Sequence, residues 1–363
     1  MAVDIHIAGM PDTLPLSRAT TLIPFLDFLD ELGAPVDRAL EQGHLPLHLR
    51  EMPGCFIATK LNWDFVGRMA RQEDIDDLGL RVGYRAGVSL LGRSLFTRVS
   101  RSRNLAQALK EFCTSASRES TGMSCWVTTD ESQVELHLRK TFGPTTRGYR
   151  QTEWLGLMAV LGVVQLFMGP GWEPTSISLR SVGPVPDLAH KLFPTTRFLP
   201  GQARVALAFP REALDHQGGS THGSPRFEWP ASWKSQVFDE SPAEGLFGAL
   251  AQSLEPYLAG GHPDITLGAR IADMSVRTLQ RRLHIAGATY STVVDQARLQ
   301  IASKQLATSA RPSKEIAEAL GYSDASHFAR AFRRLTGLSP QEYRQQCRQE
   351  IQQRAGQEAG QLE

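Results

Sequence analysis

Two stretches near the end of the chain carry arginine, glutamine and other hydrogen-bonding side chains at helical spacing. In the first, Leu279 and Leu283 recur at i and i+4, while Arg277, Gln280 and Arg281 lie on the opposite side. Guanidinium and amide groups form paired hydrogen bonds with guanine and adenine edges, and guanidinium groups also bind phosphate. The pattern therefore predicts an amphipathic helix that lies in the major groove of double-stranded DNA.

The second stretch repeats the pattern with Phe328 and Phe332 on its apolar side. The polar and cationic residues predicted on its other side are Ser326, His327, Arg330, Arg333 and Arg334. We expect Arg330 to reach a base or a phosphate, and Arg333 or Arg334 to hold the DNA backbone.

Each of these helices must be positioned by a preceding one. A short helix with Ala269 or Ala317 runs into a tight turn, and Ser275 or Asp324 then stands as a plausible N-cap of the second helix. The two units are 48 residues apart, counted from Ala269 to Ala317. A connecting helix is predicted over Ser291–Thr308. If it is rigid, it would hold two DNA-reading helices roughly one turn of DNA apart, about 34 Å.

These residues resemble a known family. The run KEIAEALGYSDASHFARAFRRLTGLSPQEYR, Lys314 to Arg344, is similar to the signature of the AraC/XylS family of bacterial transcription regulators. The resemblance covers both units and the joining helix, Asp264 to Arg344, and includes the turn Gly321-Tyr322-Ser323 and the closing Gly337-Leu338-Ser339-Pro340. It implies base contacts at Arg277, Gln280 and Arg281.

The first unit departs from the second at its turn. Asp273 stands where the second unit has Gly321, and Ala272 stands where it has Leu320. We expect the first unit to be packed less tightly than the second.

Charge is distributed unevenly along the chain. Residues 264–344 contain 12 Lys and Arg against 7 Asp and Glu, a net charge of +5, whereas the whole chain of 363 residues carries +1. The remainder therefore carries −4, and positive charge is concentrated where phosphate contact is predicted.

No set of residues predicts catalysis, a metal site or a cofactor site. The four cysteines are scattered without a CxxC pair, which fits a reducing cytoplasm, and the N-terminus lacks the features of a signal peptide. His44 and His48 are four apart, but Pro46 between them disfavours a helical metal-ligand pair. The longest apolar stretch, Leu155–Gly169, is shorter than a membrane span and predicts a buried core helix.

The rest of the chain predicts an α+β domain followed by a linker and an all-α DNA-binding domain with two helix-turn-helix units joined by a helix. We expect an effector-binding and dimerisation domain at 13–215, a Gly/Ser/Pro-rich linker at 216–240, the DNA-binding domain at 241–344 and a tail at 345–363. Within the first domain, helices are predicted over 20–32, 105–112 and 153–168, and a hairpin around Thr129–Ser132.

The segment Asp76–Phe112 and the hairpin after it resemble the arabinose-binding-type N-terminal domain of one branch of AraC-like regulators. That resemblance implies a small organic effector, but no effector-contacting residue is assigned. The sequence thus predicts a homodimeric regulator that senses an effector and, if it is an activator, contacts RNA polymerase. The alternative is an effector-independent regulator whose N-terminal domain serves dimerisation or partner contact. A closed, mostly apolar pocket with a few polar groups would favour the first.

Overall fold

The protein divides into two units with different architectures. The structure is a computed structural model that describes residues 13–217, 241–322 and 324–359. One compact unit is Leu14–Ala243, and the main part of the other is Glu244–Glu363. The predicted linker lies outside the described residues from position 218 to position 240. The predicted fold class, an α+β unit followed by an all-α unit, is confirmed.

The first unit begins with a helical layer. Its elements are β1 (Leu16–Arg18), α1 (Ile23–Glu31), α2 (Val36–Gln42), β2 (Phe56–Ala58), α3 (Thr59–Gln72) and α4 (Leu78–Ala86). The helix predicted from residue 20 starts later, at Ile23, because Ala19–Thr21 form a 3₁₀ turn. Phe25, Leu26 and Leu29 of α1 are fully buried and form part of the core of this layer.

A second layer contains a five-stranded sheet. Its elements are α5 (Gly92–Ser100), α6 (Leu105–Glu119), β3 (Met123–Thr129), β4 (Gln133–Lys140), α7 (Tyr149–Met168), β5 (Ser176–Ser178), α8 (Asp187–Leu192), β6 (Arg197–Leu199) and β7 (Val205–Pro210). The strand order is β3-β4-β7-β5-β6, and only the β5–β6 pair is parallel. The predicted hairpin is β3–β4, whose turn is fixed because Asp130 Oδ1 accepts hydrogen bonds from the backbone N–H groups of Ser132 and Gln133.

Helix α7 lies between the two layers. It is the one helix among the described residues that is long and apolar enough to cross a membrane, with a mean hydropathy of 1.3, but 67% of that stretch is buried inside the unit. Its contacts with α3 and α4 are made at glycines: a Cβ on Gly79 would lie 1.9 Å from the Gln151 carbonyl oxygen, and one on Gly148 would lie 2.0 Å from the Trp63 carbonyl oxygen. The predicted core helix is therefore present and begins four residues earlier than expected.

The second unit is helical throughout the part that the structure describes. Its helices are α9 (Gly245–Leu254), α10 (Ile265–Ile271), α11 (Val276–Ile285), α12 (Tyr290–Thr308), α13 (Ser313–Ala319), α14 (Ala325–Thr336) and α15 (Pro340–Ala359). Helix α9 ends at Leu254 because Pro256 lacks a backbone N–H, and Glu255–Gly260 form a 3₁₀ helix instead. Helix α15 continues through residue 345, so the predicted tail begins inside a helix.

Candidate functional sites

Helices α10 and α11 form the first helix-turn-helix unit. The Asp264 side chain caps α10 by accepting a hydrogen bond from the Leu267 N–H at 2.7 Å, and Ser275 caps α11 by accepting one from the Thr278 N–H at 3.2 Å. The turn between them places Asp273 at φ +53°, a left-handed conformation that a residue other than glycine rarely adopts. The predicted cap at Ser275 is confirmed, and Asp273 adopts the conformation that Gly321 supplies in the second unit.

Helices α13 and α14 form the second unit. Gly321 at φ +76° makes the turn, and the Asp324 side chain accepts a hydrogen bond from the His327 N–H at 2.6 Å, which confirms the predicted cap. Ser323, part of the predicted turn, lies outside the described residues. Gly337 at φ +80° ends α14. Ser339 and Glu342 then exchange hydrogen bonds across the first turn of α15, the arrangement of a capping box.

The two units have different cores. In α11 the buried residues are Leu279 and Leu283. In α14, Phe328 and Phe332 lie 5.7 Å apart between ring centroids, and Tyr322 and Tyr343 contact them at 5.3 and 5.4 Å. Aromatic pairs add stabilisation beyond the area that they bury. The second unit therefore has an aromatic core, whereas the first has an aliphatic one.

All the residues predicted to contact DNA are exposed on α11 and α14. They are Arg277, Gln280, Arg281, Ser326, His327, Arg330, Arg333 and Arg334. Their five arginines form no ion pair within 4.0 Å and no side-chain hydrogen bond with the residues that the structure describes. Exposed guanidinium groups without a carboxylate partner are available for phosphate or base edges. His284, which the sequence prediction did not include, extends the exposed face of α11 one turn beyond Arg281.

A cavity lies inside the N-terminal compact unit, Leu14–Ala243, where the helical layer meets the sheet layer. Its empty space, open mouth included, is about 790 Å³, and the centre of a water molecule can reach about 90 Å³ of it. Most of the wall is apolar and includes Trp63, Leu91, Leu95, Phe112, Met123 and Leu155. The polar residues that line it include Asn62, Glu119 and Lys140. Small-molecule sites in proteins commonly combine apolar walls with a few polar groups in this way.

The sequence prediction assigned no residue to this cavity, although one signal was available. On β4, Val134, Leu136 and Leu138 alternate towards the core, and Lys140 continues the same alternation. A lysine that follows an inward-facing apolar series is expected to point into the molecule.

Models of known protein families match both the N-terminal and the C-terminal part of the chain. The model of a helix-turn-helix domain matches residues 269–346. The model of the arabinose-binding domain of AraC transcription regulators, which describes their N-terminal part, matches residues 33–217, about half of the chain. The chain belongs to the AraC/XylS family. It is therefore a transcription regulator of that family, with a DNA-binding helix-turn-helix domain and an arabinose-binding-type N-terminal domain.

The AraC-type chain is similar in sequence to several named regulators. It is 31% identical to the ornithine utilization regulator of Pseudomonas aeruginosa over 204 residues, which cover 48% of this chain and 60% of that protein. It is 39% identical to the regulator VqsM of the same organism over 100 residues, 27% of this chain and 31% of that protein. It is 26% identical to the regulator VirS of Mycobacterium tuberculosis over 348 residues, 91% and 96% of the two chains. The matches thus span 60%, 31% and 96% of these relatives.

Two solved structures are similar to the AraC-type chain. The regulator CdpR from Pseudomonas aeruginosa matches 90% of this chain and 98% of its own, with 20% identity and a TM-score of 0.41. The DNA-binding domain of AdpA, solved with a target DNA, matches 29% of this chain and 94% of its own, with 27% identity and a TM-score of 0.25.

Proposed function

We propose that this protein is a one-component transcription regulator that binds a specific operator through α11 and α14 and responds to a small organic effector in its N-terminal domain. The observation that carries the DNA-binding part is the set of five exposed arginines on these two helices, which form no ion pair within 4.0 Å with the described residues. The arrangement supports a regulator rather than an enzyme, and its place of action is the cytoplasm, where double-stranded DNA is available.

The first helix to test is α11, where Arg281 lies one turn from Arg277 on the exposed face. An arginine that pairs with a guanine contributes about 1–3 kcal/mol to discrimination against other bases. Arg281→Ala should weaken operator binding by that amount and relax the preference at one base position. Selection of bound fragments from random DNA followed by titration of single-base variants measures both effects. Arg348→Ala, which removes an exposed arginine from α15, is the matched control; equal behaviour of the two variants would refute base reading by Arg281.

The second helix, α14, is tested through its phosphate contacts. Each phosphate neutralised by the protein releases counterions, so the affinity falls as salt rises, and loss of one contact reduces the slope of log affinity against log salt by about one unit. Arg334→Ala should therefore reduce this slope while leaving the preferred sequence unchanged. A slope identical to that of the unaltered protein would show that Arg334 does not contact phosphate.

The effector part of the proposal is supported by the cavity in Leu14–Ala243, which has the expected apolar walls and few polar groups and an open mouth. We propose in addition that the domains follow the predicted boundaries, that 13–215 mediates homodimer formation and that an activator form would contact RNA polymerase. Sedimentation of the full chain, and of fragments ending at 215 or starting near 238, would test the dimer and the division. Dimerisation of the C-terminal fragment by itself would contradict this assignment.

A further inference from the structure

The charged residues of the cavity are of two kinds: one kind is paired with an opposite charge within 4.0 Å, and the other is not. The first kind is the pair of Arg18 and Glu119, whose Nε and Oε2 atoms are 2.9 Å apart. Arg18 is only 1% exposed, and its other N–H groups donate to the carbonyl oxygens of Gly54 and Arg118. Since Glu119 already faces a cation, this pair presents no net charge to a ligand.

Lys140 is the second kind. Its ammonium group donates a hydrogen bond to the Thr152 carbonyl oxygen and lies 5.3 Å from the centre of the Trp63 ring. No carboxylate of the described residues lies within 4.0 Å of it. Burial lowers the pKa of Lys140 to about 7, and the charge of Glu153 on α7 opposes this shift only in part. An ammonium group has three donors, so at least one remains without an acceptor.

Asn62 also carries an unpaired polar atom. It is 3% exposed, and its Oδ1 atom has no hydrogen-bond donor among the described residues. The orientation of the amide follows from Thr21, whose hydroxyl proton is donated to the Arg18 carbonyl oxygen at 2.8 Å, so the Thr21 oxygen can only accept from the Asn62 amide N–H. A buried acceptor without a donor costs about 1–3 kcal/mol.

Together these groups define a ligand chemistry. Lys140 has no carboxylate of the described residues within 4.0 Å, so one anionic group can pair with it, and the acceptor oxygen of Asn62 would repel a second anion. The mostly apolar walls favour an apolar body, because they offer few partners to further polar or charged groups of a ligand. We propose that the cavity binds an apolar monocarboxylate, with its carboxylate against the Lys140 ammonium group and its body between Leu91, Phe112 and Met123. This inference rests on the proposed effector role and names the class of effector.

The test compares acids with their uncharged amides on the full-length protein. Octanoate and phenylbutanoate, their primary amides, octanedioate and octyl phosphate are titrated by isothermal calorimetry, with tryptophan fluorescence, to which Trp63 in the cavity wall contributes, as a second readout. Each monocarboxylate should bind at least about ten-fold more tightly than its amide, a difference of about 1.4 kcal/mol, and more tightly than the dicarboxylate or the phosphate. Failure of both acids to bind, equal binding of acid and amide, or tighter binding of the dicarboxylate or the phosphate would overturn the proposal.

Variants then assign the preference to Lys140. Lys140→Met keeps the aliphatic stem and should abolish the preference for acid over amide, whereas Lys140→Arg keeps a cation and should retain it. Lys110→Met, at an exposed position of α6, is the control and should change nothing. A full acid preference in Lys140→Met would overturn the assignment. The acid-to-amide comparison on the unaltered protein decides the ligand class even if the variant does not fold.

Operator binding is measured separately on the same protein without ligand. If the acids bind but no operator is retained, the regulatory function fails and the ligand class stands. If an operator is retained but the acids do not bind, the regulatory function stands and the ligand class fails.

Discussion

Replacement of Gly79 by alanine should strongly destabilise the N-terminal unit. A Cβ at this position would lie 1.9 Å from the Gln151 carbonyl oxygen, whereas ordinary contacts start at 3.4 Å, so α4 and α7 would have to separate by about 1.5 Å. Overpacking of this kind costs about 1–3 kcal/mol. The 2.8 Å hydrogen bond from the Gly79 N–H to Gln151 Oε1 would also weaken, and its loss costs about 1 kcal/mol of stability. Alanine gains at most about 1 kcal/mol as a helix former, so the net loss is roughly 1–3 kcal/mol even when that gain is realised in full.

Urea unfolding followed by tryptophan fluorescence measures this loss in free energy of unfolding. The signal does not report on the C-terminal unit, because residues 244–363 contain no tryptophan; the tryptophans lie at 63, 126, 154, 172, 229 and 233. Gly156→Ala is the matched control: its Cβ would lie 3.5 Å from the nearest atom, Lys140 Cε, so helix propensity should leave its stability unchanged or raise it by up to about 1 kcal/mol. Gly83→Ala should fall between the two, since its nearest neighbours at 2.8 Å are atoms of the flexible Met158 side chain. Equal free energies of unfolding for the Gly79 and Gly156 variants would refute this reasoning.

Three further predictions concern other parts of the chain. Mild oxidation should link Cys113 to Cys125, whose sulfur atoms are 2.6 Å apart, and peptide mass spectrometry would detect the bond; preferential linkage of another pair would contradict this. Gly337→Ala should destabilise the C-terminal unit by about 1 kcal/mol, because φ +80° is unfavourable for any residue with a Cβ, and urea unfolding followed by circular dichroism measures it. The hydrogen bond from the backbone N–H of His327 lowers the pKa of Asp324. The ionised Asp324 carboxylate therefore stabilises α14 fully above its unfolded-state pKa of about 4, and this stabilisation is lost as the pH falls through the lower folded-state pKa. Asp324→Asn should remove that acid-dependent part of the stability in urea titrations over this range, and an unchanged pH profile would count against it.

Features set by neighbouring residues could be predicted from the sequence. The caps Asn104, Ser275 and Asp324 each accept a hydrogen bond from an N–H three residues later, as a local motif requires. The i and i+4 spacing of Phe328 and Phe332 correctly indicated the buried side of α14. These signals are contained within one or two helical turns, so no knowledge of the rest of the fold was needed.

Features set by distant residues could not be predicted. Helix α6 was expected to end at Phe112, yet it continues to Glu119 through Thr114, Ser115 and Ser117, which are weak helix formers held by packing against α5 and β3. The cavity brings together Asn62 and Lys140, which are 78 positions apart. Only the pairing of strands and the contact of α7 with the other helices place such residues side by side.

The position of the cavity implies that a bound ligand would stabilise the folded protein and slow its degradation in the cell. It lies where the core of the helical layer meets the core of the sheet layer, so an occupant contacts both and is lost when either opens. A ligand at one hundred times its dissociation constant adds about 2.7 kcal/mol to the stability of the state that binds it, and domains of this kind have only about 5–15 kcal/mol in total. Cellular proteases act on the unfolded fraction, which such binding would reduce about a hundredfold. Empty copies would then be degraded sooner than filled ones, and the number of regulator molecules in a cell would rise and fall with the supply of the compound they bind.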